Sequence, residues 1–203
     1  MRLYVETNFV LEMALLREEH GACEGLLALA EARKAALVLP AFSVGEAYEA
    51  WVRRTRQRIE LSSRLHREIA DLSRSKPYQA SAEEFRELTG LLIRSGNEER
   101  HRINEALSRI LSFAELIPIE HGTIRGVQAL QTHHLSPQDL IIYASVLSHL
   151  EQVGAAGEGL CGFITRNNRD FGREPAVRTG LASLGCRLFT SFRDALGFAQ
   201  SRL

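Results

Sequence analysis

Residues 3–12, LYVETNFVLE, place an apolar run directly before the polar triplet Glu6-Thr7-Asn8, after which the sequence turns apolar again. An apolar run that ends in polar residues and continues with helical spacing is typical of a strand-to-helix junction, and Thr7 or Asn8 can cap the helix. This interpretation leaves Glu6 unexplained, because a carboxylate at the end of a buried strand is costly to keep away from water. The segment therefore predicts a first strand and raises the question of which side chains accompany Glu6.

Further short apolar runs follow, each separated from the next by helix-like sequence: ALVL at 36–39, LIPI at 116–119, CGFIT at 161–165 and RLF at 187–189. Alternating strands and helices predict an α/β fold with a parallel sheet covered on both faces. The interval before LIPI is too long for one crossover helix, and its apolar residues recur at helical spacing. We therefore expect one domain over residues 1–203, with a helical insertion at about 55–115 that breaks near Lys76-Pro77 and Ser95-Gly96-Asn97.

The amino-acid composition limits which classes of protein this chain can belong to. The chain has 203 residues, 45% of them hydrophobic, which is enough for one sizeable core. Lysine plus arginine equals aspartate plus glutamate at 25 each, so attraction to a nucleic acid would have to come from local clusters. The three cysteines form no CxxC motif, which predicts small core residues in a reducing cytoplasm and neither a disulfide framework nor a zinc site. We expect no membrane segment, because the chain lacks a run of about 18 uncharged apolar residues.

Two later segments place carboxylates at predicted helix starts. In LPAFSVGEAYEAW, Ser43 and Glu46 have the S-x-x-E spacing of a capping box. In HHLSPQDLIIYASVLSHL, Ser136 can cap a helix, Pro137 suits its first position and Asp139 falls at the third. Local capping is a sufficient explanation for each segment taken alone.

A fourth carboxylate, Asp170, follows the CGFIT run in a polar patch with Asn167 and Asn168, which can also form an Asx-rich turn. Parallel strands bring their carboxyl ends to one edge of the sheet, and ligands bind there where the strand order reverses. Carboxylates that converge at this edge would repel each other unless a cation neutralised them. Oxygen ligands select Mg²⁺ or Mn²⁺, which bridge to phosphate groups. The pattern therefore predicts metal-assisted hydrolysis of phosphodiester bonds.

The sequence resembles the PIN-domain family of metal-dependent ribonucleases, which includes the VapC-type toxins of bacterial toxin–antitoxin pairs. The resemblance covers residues 1–54 and 116–190 and is carried, in family order, by YVETNFVLE, LVLPAFSVGEAYEA, LSPQDLIIYASVL and FITRNNRDF. It implies a three-layer sandwich with a central parallel sheet, in the cytoplasm, with RNA and an antitoxin protein as partners. It also implies a catalytic and metal-binding quartet for Mg²⁺ or Mn²⁺, made of Glu6, Glu46, Asp139 and Asp170. Polar support would come from Thr7, Asn8 and Asn167.

One position departs from the family pattern, which usually has aspartate where this chain has Glu6. The extra methylene moves the carboxylate by about 1 Å, a displacement that can cost about a hundredfold in rate. A PIN-like module that binds RNA or a protein without cutting is therefore the alternative function. A metal-dependent nuclease acting on DNA, or a phosphatase, is a third.

Basic residues predict a substrate groove. Residues 51–76 carry eight lysines and arginines against three acids, and a second basic set flanks Asp170. The predicted phosphate contacts are Arg53, Arg56, Arg166 and Arg169. A solvated helix face explains the first set equally well. Likewise, the apolar stripes of the insertion can serve either its own packing or a homodimer.

Overall fold

The computed structural model describes residues 1–130, 134–153 and 160–202, with the backbone alone at 83, 84 and 86. The strands are β1 (Arg2–Val5), β2 (Ala36–Pro40), β3 (Ala114–Ile117), β4 (Cys161–Ile164) and β5 (Cys186–Phe189). They pair in parallel as one sheet in the order β3-β2-β1-β4-β5. The predicted α/β fold with a central parallel sheet is confirmed.

Helices cover both faces of the sheet. They are α1 (Thr7–Leu15), α2 (His20–Glu31), α3 (Ala41–Leu72), α4 (Gln79–Glu84), α5 (Arg86–Leu111), α6 (His121–Ala129), α7 (Pro137–Gln152), α8 (Pro175–Ser183) and α9 (Phe192–Gln200). A 3-10 turn spans Lys76–Tyr78, and a single π-helical turn spans Asn168–Gly172. Within the described ranges, no helix combines the length and apolar character needed to cross a membrane.

The core consists of two apolar layers separated by the sheet. Leu3 and Val5 of β1 pack with buried residues of α1, α2, α5 and α9 on one face. Tyr4 of β1 and Phe163 of β4 pack with buried residues of α7 and α8 on the other. Successive side chains of a strand point to opposite faces, so a strand buried on both sides reads as a continuous apolar run.

The strand order reverses beside β1. The chain leaves β1 toward β2 and β3 on one side and later returns to β4 on the other side. The crevice outside the carboxyl ends of β1 and β4 is therefore the topological switch point, where open α/β sheets bind ligands. Glu6 follows β1 directly, and Asn167 lies shortly after β4.

The insertion between β2 and β3 differs from the prediction in one respect. The break near Lys76-Pro77 is confirmed by the 3-10 turn, but the break at residues 95–97 is wrong, because α5 runs unbroken from Arg86 to Leu111. Gly96 lies against α3, where its carbonyl oxygen accepts a hydrogen bond of 2.9 Å from Trp51 Nε1. A Cβ atom at this position would lie 3.3 Å from the Thr55 side chain. The glycine allows two helices to pack closely instead of ending one.

The third strand begins at Ala114, earlier than the predicted run LIPI. It is an edge strand of the sheet, and Glu115 on it is exposed, with Oε1 lying 3.1 Å from His149 Nε2. Because one side of this strand meets solvent, a polar residue interrupts the apolar pattern that marks the other strands.

Candidate functional site

Glu6 is the N-cap residue of α1. Its Oε2 accepts a hydrogen bond of 2.9 Å from the backbone N–H of Asn8, so the predicted capping by Thr7 or Asn8 is wrong. The residue is only 3% exposed, and its Oε1 has no hydrogen-bond partner among the described residues. Burial raises the pKa of Glu6 to about 7; hydrogen bonds from Asn8 and Thr165 offset the rise in part, and the nearby Glu46 charge adds to it. Part of the Glu6 population is therefore protonated at neutral pH.

Glu46 lies in α3 and faces α1. The Thr7 hydroxyl donates a hydrogen bond to Glu46 Oε2. The predicted capping box of Ser43 and Glu46 is wrong, because α3 begins after Pro40 without a side-chain cap. Burial raises the pKa of Glu46; the Thr7 hydrogen bond opposes the rise and the Asp139 charge increases it.

Asp139 is held at the start of α7. As predicted, Ser136 is the N-cap: its Oγ accepts from the Asp139 N–H at 3.1 Å, and its hydroxyl donates to Asp139 Oδ2 at 2.7 Å. Asn167 Nδ2 lies 3.2 Å from each carboxylate oxygen of Asp139. Burial raises the pKa of Asp139 although both neighbours hydrogen-bond to it, and the charge of Asp170 raises it further.

Asp170 lies in the π-helical turn that follows β4. Its backbone N–H donates to Asn167 Oδ1 at 3.3 Å, so Asn167 caps this turn with its oxygen while its nitrogen reaches Asp139. The predicted Asx-rich turn is therefore present. Asp170 does not line the same cavity as Glu6, Glu46 and Asp139, although its charge acts on Asp139.

Three of the predicted carboxylates share one cavity of about 360 Å³, here called the carboxylate cleft. Its walls include Glu6, Glu46 and Asp139 together with the predicted polar supports Thr7, Asn8 and Asn167. The cleft lies at the switch point of the sheet, with the start of α1, α3, α7 and the segment after β4 each contributing a wall. Burial raises the pKa of all three carboxyl groups, which shows that their charge is incompletely compensated.

The predicted phosphate-binding arginines occupy different surroundings. Arg53 lines the carboxylate cleft and lies 3.4 Å from Glu49 Oε1. Arg56 and Arg169 are exposed. Arg166 is engaged by two carboxylates, those of Glu12 at 3.0 Å and Glu18 at 3.1 Å.

Glu12 is a buried acid that the sequence analysis did not identify. It is 2% exposed, and its Oε2 also accepts from the Glu19 N–H at 2.9 Å. The signal was present, since Glu12 follows Asn8 by four residues and so shares its face of α1. Its partner Arg166 lies 154 residues away in the sequence, however, and no spacing rule connects the two.

The donor chemistry of the carboxylate cleft suits a hard divalent cation. In the parts of the chain that the structure describes, no three histidine, cysteine, aspartate or glutamate side chains come close enough together to hold a metal ion. Mg²⁺ does not require such a cage, because it usually binds through one or two carboxylates and keeps several waters. The unpartnered Oε1 of Glu6 and the carboxylate of Asp139 fit this sparse mode of binding.

No protein-family model matches this sequence, and a search of curated proteins finds no significant match. Among solved structures, the chain is similar to a chain in the crystal structure of VapBC2 from Rickettsia felis bound to a DNA fragment from its promoter. The two are 14% identical, with a TM-score of 0.46, and the match covers 93% of this chain and 98% of that one.

Proposed function

We propose that this chain is a divalent-metal-dependent endoribonuclease that hydrolyses RNA phosphodiester bonds in the carboxylate cleft. The observation that carries the proposal is the presence of Glu6, Glu46 and Asp139 in one cleft at the switch point, each with a raised pKa. Buried acids that lack compensating charge mark functional sites, because they cost stability without a structural return. The resemblance of the motifs to PIN-domain ribonucleases points to the same chemistry.

Asp139 and Glu6 would hold Mg²⁺ or Mn²⁺, which would stabilise negative charge on a phosphate oxygen and lower the pKa of a bound water. Ser136 and Asn167 fix the orientation of the Asp139 carboxylate through hydrogen bonds to its oxygens. Thr7 fixes Glu46 in the same way. Glu46 is our candidate for the general base, because burial moves its pKa toward neutral pH, where a base is most effective. Asp170 would act through Asp139 and Asn167.

A non-cutting module that binds RNA or a protein is the second candidate function. It is favoured by Glu6, which uses Oε2 as a helix cap and is partly protonated at neutral pH. In that case Glu6 would serve the fold, and its departure from aspartate would reflect relaxed catalytic demands. Manganese titration separates the two candidates, since a catalytic cleft binds the ion and loses it when Asp139 is replaced by asparagine.

An antitoxin partner, a homodimer and a cytoplasmic location remain predictions from the motif resemblance and from the apolar stripes of the insertion. Co-purification with the product of an adjacent reading frame would test the first, and sedimentation would test the second. A nuclease acting on DNA or a phosphatase would be recognised by its substrate, single-stranded DNA or a small phosphoester.

The decisive experiment is cleavage of single-stranded RNA with Mn²⁺ and with EDTA, for wild type and Asp139→Asn. Asp194→Asn is a matched control, because Asp194 also follows a serine N-cap, Ser191, at the start of a helix but lies exposed on α9. We expect EDTA and Asp139→Asn to abolish cleavage, whereas Asp194→Asn retains it. Cleavage that ignores both chelation and the Asp139 substitution would refute the proposal.

A further inference from the structure

An uncompensated group of arginines lies beside α1 and includes two residues that the sequence analysis did not single out. Arg54 of α3 is half-buried, and its pKa is lowered from the usual value by burial and then by the positive charge of Arg17, with Arg58 and Arg53 contributing less. The acid that acts on Arg54 is Glu99, whose Oε2 already lies 2.9 Å from Arg58 Nη1. Among the described residues, no side-chain hydrogen bond or ion pair engages the guanidinium of Arg17 or of Arg54.

Two of these arginines line cavities. Arg53 lines the carboxylate cleft. Arg17 lines a neighbouring cavity of about 730 Å³, here called the Leu16 pocket, which is formed by Asn8, Glu12, Leu16, Arg17, Glu18 and Arg166. Asn8 is common to the two cavities. A chain of phosphates that leaves the cleft past Asn8 toward this pocket would therefore run from Arg53 to Arg17, whose charge also acts on Arg54.

The charge balance inside the Leu16 pocket distinguishes its two arginines. Arg166 is neutralised by Glu12 and Glu18, so it has little attraction left for an anion. The guanidinium of Arg17 pairs with no carboxylate among the described residues. An unpaired guanidinium at a partly enclosed surface attracts phosphate, which it can bind in a bidentate manner.

Leu16 gives the pocket an apolar wall. Its side chain is 59% exposed, and its backbone adopts the left-handed conformation, with φ 51° and ψ 48°. Glycine or asparagine suits this conformation better than a branched apolar residue. The chain therefore holds an exposed leucine at a position whose backbone favours other residues, next to an unpaired arginine. An apolar face beside a cation is the combination that binds the base and phosphate of a single-stranded nucleic acid.

We propose that Arg17 and Arg54 form a phosphate subsite beside the carboxylate cleft, and that the Leu16 pocket receives the base of an adjacent nucleotide of a single-stranded nucleic acid. This inference rests on the proposed function and specifies the path of its substrate. It also assigns the phosphate contact on this side of the cleft to Arg17 instead of Arg166.

The test measures binding of a fluorescently labelled single-stranded RNA oligonucleotide by anisotropy, in the Asp139→Asn background so that the probe stays intact. The variants are Arg17→Gln and Arg54→Gln. Lys34→Gln is the matched control, since it removes the same charge at an exposed position two residues before β2, at the amino ends of the strands and away from the cleft. We expect each arginine variant to weaken binding about three- to tenfold near 0.1 M salt and to reduce the slope of log K against log salt by about 0.7, as for one lost phosphate contact.

Leu16→Asn tests the base pocket separately. Asparagine tolerates the left-handed backbone, so the variant should fold, but it removes the apolar side chain. We expect weaker binding with an unchanged salt slope, because no phosphate contact is lost. Tighter binding of duplex than of single-stranded RNA would overturn the assignment of this pocket.

The outcomes separate this inference from the proposed function. If wild type cleaves RNA but Arg17→Gln and Arg54→Gln bind like Lys34→Gln, the subsite is wrong and the nuclease proposal stands. If wild type neither binds nor cleaves RNA, both are overturned. Far-UV circular dichroism of each variant shows whether a loss of binding reflects unfolding.

Discussion

Glu6 caps the start of α1 and Glu12 lies within the same helix about 1.7 turns later, and both are almost completely buried, at 3% and 2% exposed. Glu12 is compensated by Arg166 at 3.0 Å and by the Glu19 N–H at 2.9 Å. Glu6 receives the Asn8 N–H at one oxygen and interacts with the neutral side chains of Asn8 and Thr165, but no lysine or arginine pairs with it among the described residues. The two acids are therefore equally buried, but among the described residues only Glu12 is paired with a cation.

The difference separates a structural acid from a candidate functional one. Burial of a carboxylate is costly unless it is paired, so of these two acids Glu6 is the one that would gain stability from a bound cation. The pKa of about 7 at Glu6 expresses this lack of compensation. Four experiments can break or sharpen the comparison.

The largest expected effect is the loss of the partner of Glu12. Arg166→Ala leaves Glu12 buried without its cation, and we expect a loss of about 3 kcal/mol in unfolding free energy, the low end for a broken buried pair because Arg166 is itself partly exposed. Urea unfolding at pH 7 measures it. Arg169→Ala, an exposed neighbour, should change stability by less than about 0.5 kcal/mol. Equal stability of Arg166→Ala and wild type would remove the distinction between the two acids.

Neutralising Glu6 should have the opposite sign. The folded pKa of about 7 lies above the usual value of 4.5, so the contribution of Glu6 to stability is complete below pH 4.5 and is lost as pH rises from there to about 7. We expect Glu6→Gln to match wild type at pH 4 and to exceed it by about 3 kcal/mol at pH 8.

Glu12→Gln is the counterpart for this measurement, and it should lose stability at pH 8 because Arg166 is left without its buried partner. Thermal or urea unfolding at both pH values distinguishes the two variants. If the change in unfolding free energy caused by Glu6→Gln were the same at both pH values, ionisation of Glu6 would not destabilise the folded protein.

A divalent cation should compensate the carboxylate cleft only. At a Mn²⁺ concentration ten times its Kd, wild type should gain about 1.4 kcal/mol at pH 8, which thermal unfolding detects. Glu6→Gln and Asp139→Asn should lose most of this gain, whereas Arg166→Ala should keep it. An equal Mn²⁺ effect in all of these variants would place the ion elsewhere.

The smallest expected effect concerns the hydrogen bond that holds Asp139. Ser136→Ala and Ser191→Ala each remove a serine N-cap and should each cost about 1 kcal/mol of stability. Only Ser136 also donates to an acid of the cleft, at 2.7 Å from Asp139 Oδ2. We therefore expect RNA cleavage to fall in Ser136→Ala alone. An equal fall in both variants would show that Ser136 acts only as a helix cap and that its hydrogen bond to Asp139 does not contribute to cleavage.

The features that could be predicted from sequence depend on local pattern. Buried parallel strands are apolar along their whole length, and this pattern identified β1, β2 and β4 in the sequence. The Ser136 cap could be predicted because capping depends on residues three positions apart. The predicted position of β3 was shifted toward the C-terminus, because an edge strand exposes part of its surface and Glu115 interrupts its apolar pattern. Gly96 was read as a helix break, although its missing side chain serves a contact with Thr55 of another helix.

The features that escaped prediction are tertiary. The spacing of Ser43 and Glu46 satisfies a capping rule, but the carboxylate turns to Thr7, 39 residues earlier in the chain. The pairing of Glu12 with Arg166 and the proximity of Arg17 to Arg54 likewise join distant segments. No local signal distinguishes a charge that will be neutralised by a remote residue from one that will not.

The length of α3 has a mechanical consequence. Its 32 residues run from the wall of the cleft to the turn at Lys76–Tyr78, a rod of about 48 Å at the rise of an α-helix. Glu46 lies near one end, so a tilt of this rod by about 5° at its base would displace the far end by about 4 Å. A molecule that tilted α3 from its far end would therefore also change the orientation of an acid in the cleft.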